Sequence, residues 1–154
     1  MAKKIVPKLA RIGLSDKLDI PSAKLYDVPC KIDTGAYNCS IHCTRIRLIK
    51  TNVSERLEFT LLDKEFKEYS GVKLSTKRFR IKKVKSSNGK VQNRYQVVLT
   101  IRLFDQSIDA TFNLSKRHNM KYPILLGRKF LAKQFLVDVS KRNLSFKQKK
   151  LAGH

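Results

Sequence analysis

Val28-Pro29-Cys30-Lys31-Ile32-Asp33-Thr34-Gly35-Ala36 is a short, largely apolar approach that runs into an aspartate and then into turn-forming residues. A strand that ends this way suits a carboxylate that must project from a tight loop into a cleft. Gly35 removes the steric bar to close backbone approach, and Thr34 brings a hydroxyl for hydrogen bonding inside the loop. Asp, Thr and Gly are also common turn residues, so the tetrapeptide alone reads more readily as a strand-ending Asx turn.

The segments around this loop alternate with period two between frequent turn signals, which is the pattern of an all-β domain. In the clearest case Val97, Leu99, Ile101 and Leu103 alternate with polar neighbours, Asp105-Gln106 turns, and Ile108, Ala110, Phe112 and Leu114 alternate again. That is a β-hairpin with one buried face. Leu57, Phe59 and Leu61 mark another strand. A second hairpin spans Arg78 to Val98, with the Asn-Gly pair of Ser86-Ser87-Asn88-Gly89-Lys90 at its tip. Further on, Tyr122 to Gly127 reads as a buried strand closing on glycine, Arg128 to Gln134 as a brief helix and Phe135 to Val139 as a strand. The final residues read as a frayed basic tail.

Charge is the unusual feature of the composition. The 154 residues carry 34 Lys plus Arg against 12 Asp plus Glu, a formal net charge of +22, so the surface favours anionic partners. From Tyr69 through Phe104 there is no acidic residue at all. The length suits one domain with a real core. The basic N-terminal stretch lacks an apolar run of signal-peptide length and no segment approaches a membrane span, so the expectation is a cytoplasmic protein without membrane contact. Cys30, Cys39 and Cys43 are odd in number and lack a disulfide spacing, which fits free thiols in a reducing compartment.

Downstream of the Asp33 loop, Ile124-Leu125-Leu126-Gly127-Arg128 supplies a second motif, and the two together resemble the paired signature of retropepsin-like aspartic peptidases. The chain is similar to the subgroup labelled ATP-dependent zinc proteases through Lys31 to Ala36, Ser40-Ile41-His42, Ser87 to Arg94, Met120 to Arg128 and Val137-Asp138. The likeness runs from roughly Arg11 to Asn143.

The resemblance implies a retropepsin-like closed barrel with a flap hairpin and one short C-terminal helix. Residues 1–20 are then an N-terminal extension, 21–143 the peptidase domain and 144–154 a basic tail. Asp33 supplies half of a catalytic pair, supported by Thr34, Gly35, Ala36, Leu126, Gly127 and Arg128, while Ser87, Asn88 and Gly89 form the flap. One such motif per chain implies a homodimer, in which two carboxylates share a proton and act as base and acid. The viral motif continues with an acidic residue that pairs with the arginine after the downstream glycine. Here Tyr37 follows Ala36, which leaves Arg128 without a predicted partner.

Neither half of the subgroup's label is supported by the residues. Cys30, Cys39, His42 and Cys43 match no structural zinc spacing, no His-Glu-x-x-His segment occurs, and no phosphate-cradling glycine loop is present, so no metal or cofactor is expected. A Cys-His thiol pair is disfavoured because neighbours on a strand point to opposite faces. His118 and His154 read as surface residues. Members of such families are associated with glutamate-ligating enzymes, which together with the basic hairpin suggests an acidic, glutamate-rich polypeptide substrate. The alternative is a non-catalytic protein on the same fold that binds RNA, the ribosome or acidic peptides, with Lys82, Lys83, Lys85 and Lys90 along phosphates.

Overall fold

The computed structural model describes residues 9–85, 88–117 and 119–153. Ser87, His118 and His154 lie outside the described residues. In chain order the elements are β1 (Ala10–Ile12), β2 (Ser15–Ile20), a single 3-10 turn (Pro21–Ala23), β3 (Leu25–Ile32), β4 (Cys39–Lys50), β5 (Glu55–Leu61), β6 (Lys73–Thr76), β7 (Phe79–Lys85), β8 (Val91–Leu103), β9 (Gln106–Ser115), β10 (Ile124–Leu126), α1 (Arg128–Leu131), β11 (Phe135–Val137) and α2 (Leu144–Leu151). No described helix is long and apolar enough to cross a membrane.

Strand pairing runs β10-β3-β2-β8-β9-β4 and returns to β10, closing a six-stranded barrel. Closure removes the free sheet edges on this ring, so backbone donors and acceptors there find partners without a second sheet. Two strands are longer than the barrel needs. The far half of β4 leaves it to pair with β5, which carries β6, and the first half of β8 leaves it to pair with β7. The all-β expectation and the closed barrel are therefore what the chain adopts.

The alternating residues form the hydrophobic core. Val97, Leu99, Ile101 and Leu103 of β8 are buried, as are Ala110, Phe112 and Leu114 of β9 and Leu57, Phe59 and Leu61 of β5. The β8–β9 turn lies one residue earlier than expected. Leu103 pairs with Gln106, so the loop is Phe104-Asp105, at φ 52° and 57°. Two consecutive left-handed residues make the primed turn that matches the twist of a hairpin. Phe104 is held in this uncommon conformation from outside the hairpin: its N–H donates to Ser145 Oγ at 2.8 Å, and its ring lies 5.7 Å from that of Phe135.

Both ends of the chain differ from expectation. Residues 1–20 read from sequence as an N-terminal extension, yet β2 within them is a strand of the barrel wall between β3 and β8, with nearly every residue buried. Residues 144–154, taken as a frayed tail, contain the helix α2. Asn143 at its start makes no side-chain cap. The buried Asp16 of β2 does this instead, accepting from Ser145 N–H at 2.9 Å and Phe146 N–H at 3.0 Å. Near the other end Lys149 reaches Asp19 at 2.9 Å and Asp27 at 2.7 Å. A helix rich in lysine is thus fixed by three aspartates from the opposite end of the sequence, a contact invisible to local pattern.

Burial pushes the Asp16 carboxyl above its ordinary range, while the Ser145, Lys17 and Phe146 N–H donors pull it down. Truncation to Asp16→Ala removes the acceptors and leaves those donors unsatisfied, which should cost about 1–3 kcal/mol. Urea denaturation should show this loss, and amide hydrogen exchange should show it as faster exchange at Ser145 and Phe146 than in the barrel strands.

Candidate active site

The site begins with a strand crossing. β10 lies parallel to β3, with Leu126 opposite Ile32, and antiparallel to β4, with Leu125 opposite Ser40. It therefore occupies the gap between two strands that are consecutive in sequence, and the loop joining them, residues 33–38, must arch over its end. Backbone bonds lock the arch: Asp33 N–H donates to Leu126 O at 2.9 Å, Arg128 N–H to Ala36 O at 2.8 Å and Lys129 N–H to Tyr37 O at 3.0 Å. Gly127 passes directly beneath. A Cβ placed there would stand 2.5 Å from Asn38 O and 2.8 Å from Tyr37 O, so no side chain fits.

Within the arch, Asp33 is half-buried. Its Oδ1 accepts from Gly35 N–H at 3.0 Å, and its carbonyl accepts from Ala36 N–H at 3.2 Å. The loop is thus an Asx turn, and the turn is what aims the carboxylate: the plain and the functional readings of the motif describe one geometry. Thr34 is exposed, with its carbonyl accepting from Arg128 Nη1 at 3.0 Å. The guanidinium of Arg128 also lies over the Tyr37 ring, 5.9 Å from its centroid. Arg128 is therefore held by a backbone carbonyl and an aromatic face in place of a carboxylate.

Beside the arch opens a cleft of about 1060 Å³. Ala36, Tyr37 and Asn38 form its wall on the loop side, Gln92, Asn93 and Arg94 on the β8 side, and Ser115, Lys116, Arg117 and Met120 between β9 and β10. The β7–β8 hairpin borders this region through Gln92, Asn93 and Arg94, with Lys82 paired to Arg94. Asn88 and Gly89 lie near its tip, Gly89 at φ 84°, but the described residues that line the cleft come from the arm, not the tip. Asp33, Thr34, Gly35, Ala36, Leu126, Gly127 and Arg128 are thus brought together, while Asn88 and Gly89 are not among the residues that line the cleft.

Residues 12–148 match the RimB-like family, described as retropepsin-like aspartic endopeptidase RimB. The chain belongs to this family. Among curated relatives, a probable alpha-L-glutamate ligase of Shewanella halifaxensis (strain HAW-EB4) is 28% identical over 129 residues, covering 84% of this chain and 28% of the relative. One from Desulfotalea psychrophila (strain LSv54 / DSM 12343) is 22% identical over 138 residues, covering 90% and 29%. The chain therefore spans less than a third of the length of these relatives. A crystal structure of a Legionella pneumophila protein of unknown function (DUF785) superposes with a TM-score of 0.70 at 26% identity, covering 88% of this chain and 98% of that one.

In this RimB-like chain the thiols are buried in the core. Burial raises Cys30 and Cys39 above a free thiol and Cys43 up to about 11, while Cys43 Sγ donates to Thr60 O at 3.2 Å. Such thiols are poor nucleophiles. His42 is fully buried, with Nε2 2.7 Å from Asp63 Oδ2 and Nδ1 accepting from Arg117 N–H at 2.6 Å. Among the described residues no group of three or more His, Cys, Asp or Glu is close enough to hold a metal ion. His42 was singled out by the Ser-Ile-His motif, but its partners Asp63 and Arg117 were not. Nothing local in the sequence marks them.

The glycines at 127 and 89 should behave differently. Gly127→Ala forces two backbones apart and should cost roughly 1–3 kcal/mol, with the amide resonances of residues 33–38 shifting in NMR spectra. Gly89→Ala meets nothing within 4 Å, so only its left-handed backbone matters, at about 1 kcal/mol, and the arch resonances should stay in place.

Proposed function

We propose that two copies of this chain form an aspartic endopeptidase in which each contributes Asp33, and that its substrates are acidic polypeptides. The observation carrying this reading is the clamped Asp33 arch, a half-buried carboxylate held in an Asx turn on a loop whose Ala36, Tyr37 and Asn38 wall an open cleft. A single carboxylate cannot serve as base and acid in the same step. Two of them a few ångströms apart cannot both ionise easily and so share a proton. One then takes a proton from the water that attacks the peptide carbonyl while the other protonates the carbonyl oxygen, and in the second half the first passes its proton to the leaving amine as the other takes one back from the tetrahedral diol. Thr34, exposed beside Asp33, has a hydroxyl with no partner among the described residues and is available to the second copy.

Charge supports the substrate class. Arg94, Lys116 and Arg117 line the cleft. Lys82 sits directly opposite Arg94 across the β7–β8 ladder, where facing like charges are destabilising and an anion relieves the repulsion. The longer relatives are named as probable alpha-L-glutamate ligases, which supports glutamate as the acidic residue.

Cleavage by Asp33→Asn should fall about 10²-fold or more, the scale of a lost acid–base group. Wild type should cut glutamate-rich peptides faster than neutral ones, with the advantage shrinking as salt rises. Mixing wild type with an equal amount of Asp33→Asn, after subunit exchange, should lower the activity per wild-type chain to roughly half if the site is shared across a C2 dimer. Unchanged activity per chain would exclude a shared site. Binding of RNA or acidic peptides that is steeply salt-dependent and indifferent to Asp33→Asn, with no cleavage, would favour the non-catalytic reading instead.

A further inference from the structure

Arg117 differs from the other cations of the cleft. Arg94 and Lys116 are exposed, so water and salt screen them and they act mainly by steering. Arg117 is half-buried. Burial pulls its pKa below the ordinary arginine value, and the charge of Asp33 pushes it back. No described carboxylate is in ion-pair contact with it. Its Nε donates to Tyr122 O at 3.3 Å, which sets the plane of the guanidinium, and the Nη donors have no partner among the described residues. A partly desolvated cation with unused, oriented donors is destabilised until an anion completes it, and a carboxylate matches that fork in two parallel hydrogen bonds.

The backbone of Arg117 is fixed from inside the protein. Its N–H can only donate, so His42 Nδ1 must hold a lone pair, Nε2 must carry the proton, and that proton must be donated to Asp63 Oδ2. Asp63 is itself oriented by Glu65 N–H at 2.9 Å on its Oδ1, and the Phe66 ring tilts over the imidazole at 5.5 Å. His42 N–H donates to Pro123 O at 2.8 Å, tying the same residue to the start of β10. The segment that carries Arg117 is therefore anchored to one buried histidine at two points.

We infer that Arg117 is the specificity-determining cation of the cleft, binding a substrate side-chain carboxylate beside the Asp33 loop, and that the buried His42–Asp63 pair is its positioning unit. The inference rests on the peptidase reading for what is cut, but not for what is bound. His42 touches no substrate: it acts through Arg117.

The test measures binding and turnover separately. Oligoglutamate and oligoglutamine are titrated against Asp33→Asn, and kcat and KM for glutamyl and glutaminyl peptides are measured in the wild-type background. Adding Arg117→Gln should weaken oligoglutamate binding roughly tenfold, leave oligoglutamine unchanged, and raise KM for glutamyl peptides more than it lowers kcat. His42→Leu should lose the same preference. His42→Asn should keep most of it, because the amide oxygen replaces Nδ1 as acceptor for Arg117 N–H. Nitrogen NMR of the wild-type imidazole should report an unprotonated Nδ1, whatever the variants' stability.

A glutamate preference untouched by Arg117→Gln, a protonated Nδ1, or equal loss in both folded His42 variants would overturn the inference. Arg117-dependent oligoglutamate binding by a wild type that cuts nothing would uphold it and defeat the peptidase reading. Cleavage abolished by Asp33→Asn but indifferent to Arg117 would do the reverse.

Discussion

The contact between Gly127 and the Asn38 and Tyr37 backbone is the constraint from which the rest of the site follows. With β10 filling the gap between β3 and β4, the connecting loop has only one way across, over the end of the inserted strand. The two backbones come too close for any Cβ at 127, and they then bond to each other on both sides of the glycine. The Asp33 carboxylate inherits its direction from that arch. The chain leaving Gly127 turns at once into α1, whose Phe130 and Leu131 N–H groups bond back to Gly127 O, and so is led to β11 and its partner β1. Placement of a functional group thus comes from barrel closure, which involves large buried area, and not from the loop's own weak preferences.

A second set of contacts secures α2 against the barrel wall. β2 contributes Asp16 to the start of α2 and Asp19 to Lys149, and Asp27 of β3 joins the same lysine. The β8–β9 turn is drawn into this group through Phe104 and Ser145. Opening of α2 would expose the buried Asp16 and release the strained turn together, so these features should behave as one unit in local unfolding. Asp27 lies near the start of β3 and the Asp33 arch follows its end, with Asp16 opposite Cys30 between them, so α2 runs along this strand pair toward the arch.

What could be read from the sequence divides along the range of the interactions. Asp33–Ala36 and Ile124–Arg128 were legible because each is a local pattern, an apolar strand meeting turn residues, and alternation marked β5, β8 and β9 for the same reason. The turn at Phe104-Asp105 was displaced by one residue because what holds Phe104 in a left-handed conformation comes from Phe135 and Ser145. Helix α2 was missed because its cap is Asp16, with no capping side chain at Asn143. Tyr37 as the support for Arg128 was visible only as a departure from a pattern. His42, Asp63 and Arg117 meet from three separate segments, and no periodicity relates them.

The field at the cleft is stronger than a net charge spread over the surface would make it, because acidic residues are used elsewhere. Asp16, Asp19 and Asp27 hold α2; Asp63 holds His42; Glu58 meets Arg56 and Lys73; Asp105 meets Arg102; Asp138 meets Arg11. Arg94, Lys116 and Arg117 are left without a carboxylate in contact among the described residues, on a wall whose neighbouring hairpin has no acidic side chain in sequence. Salt at physiological strength screens exposed charges beyond about 8 Å, so the distant lysines contribute to encounter and little to binding. On the proposed reading, discrimination between an acidic and a neutral side chain then comes from the cation that water reaches least. Among the three that line the cleft, that is Arg117.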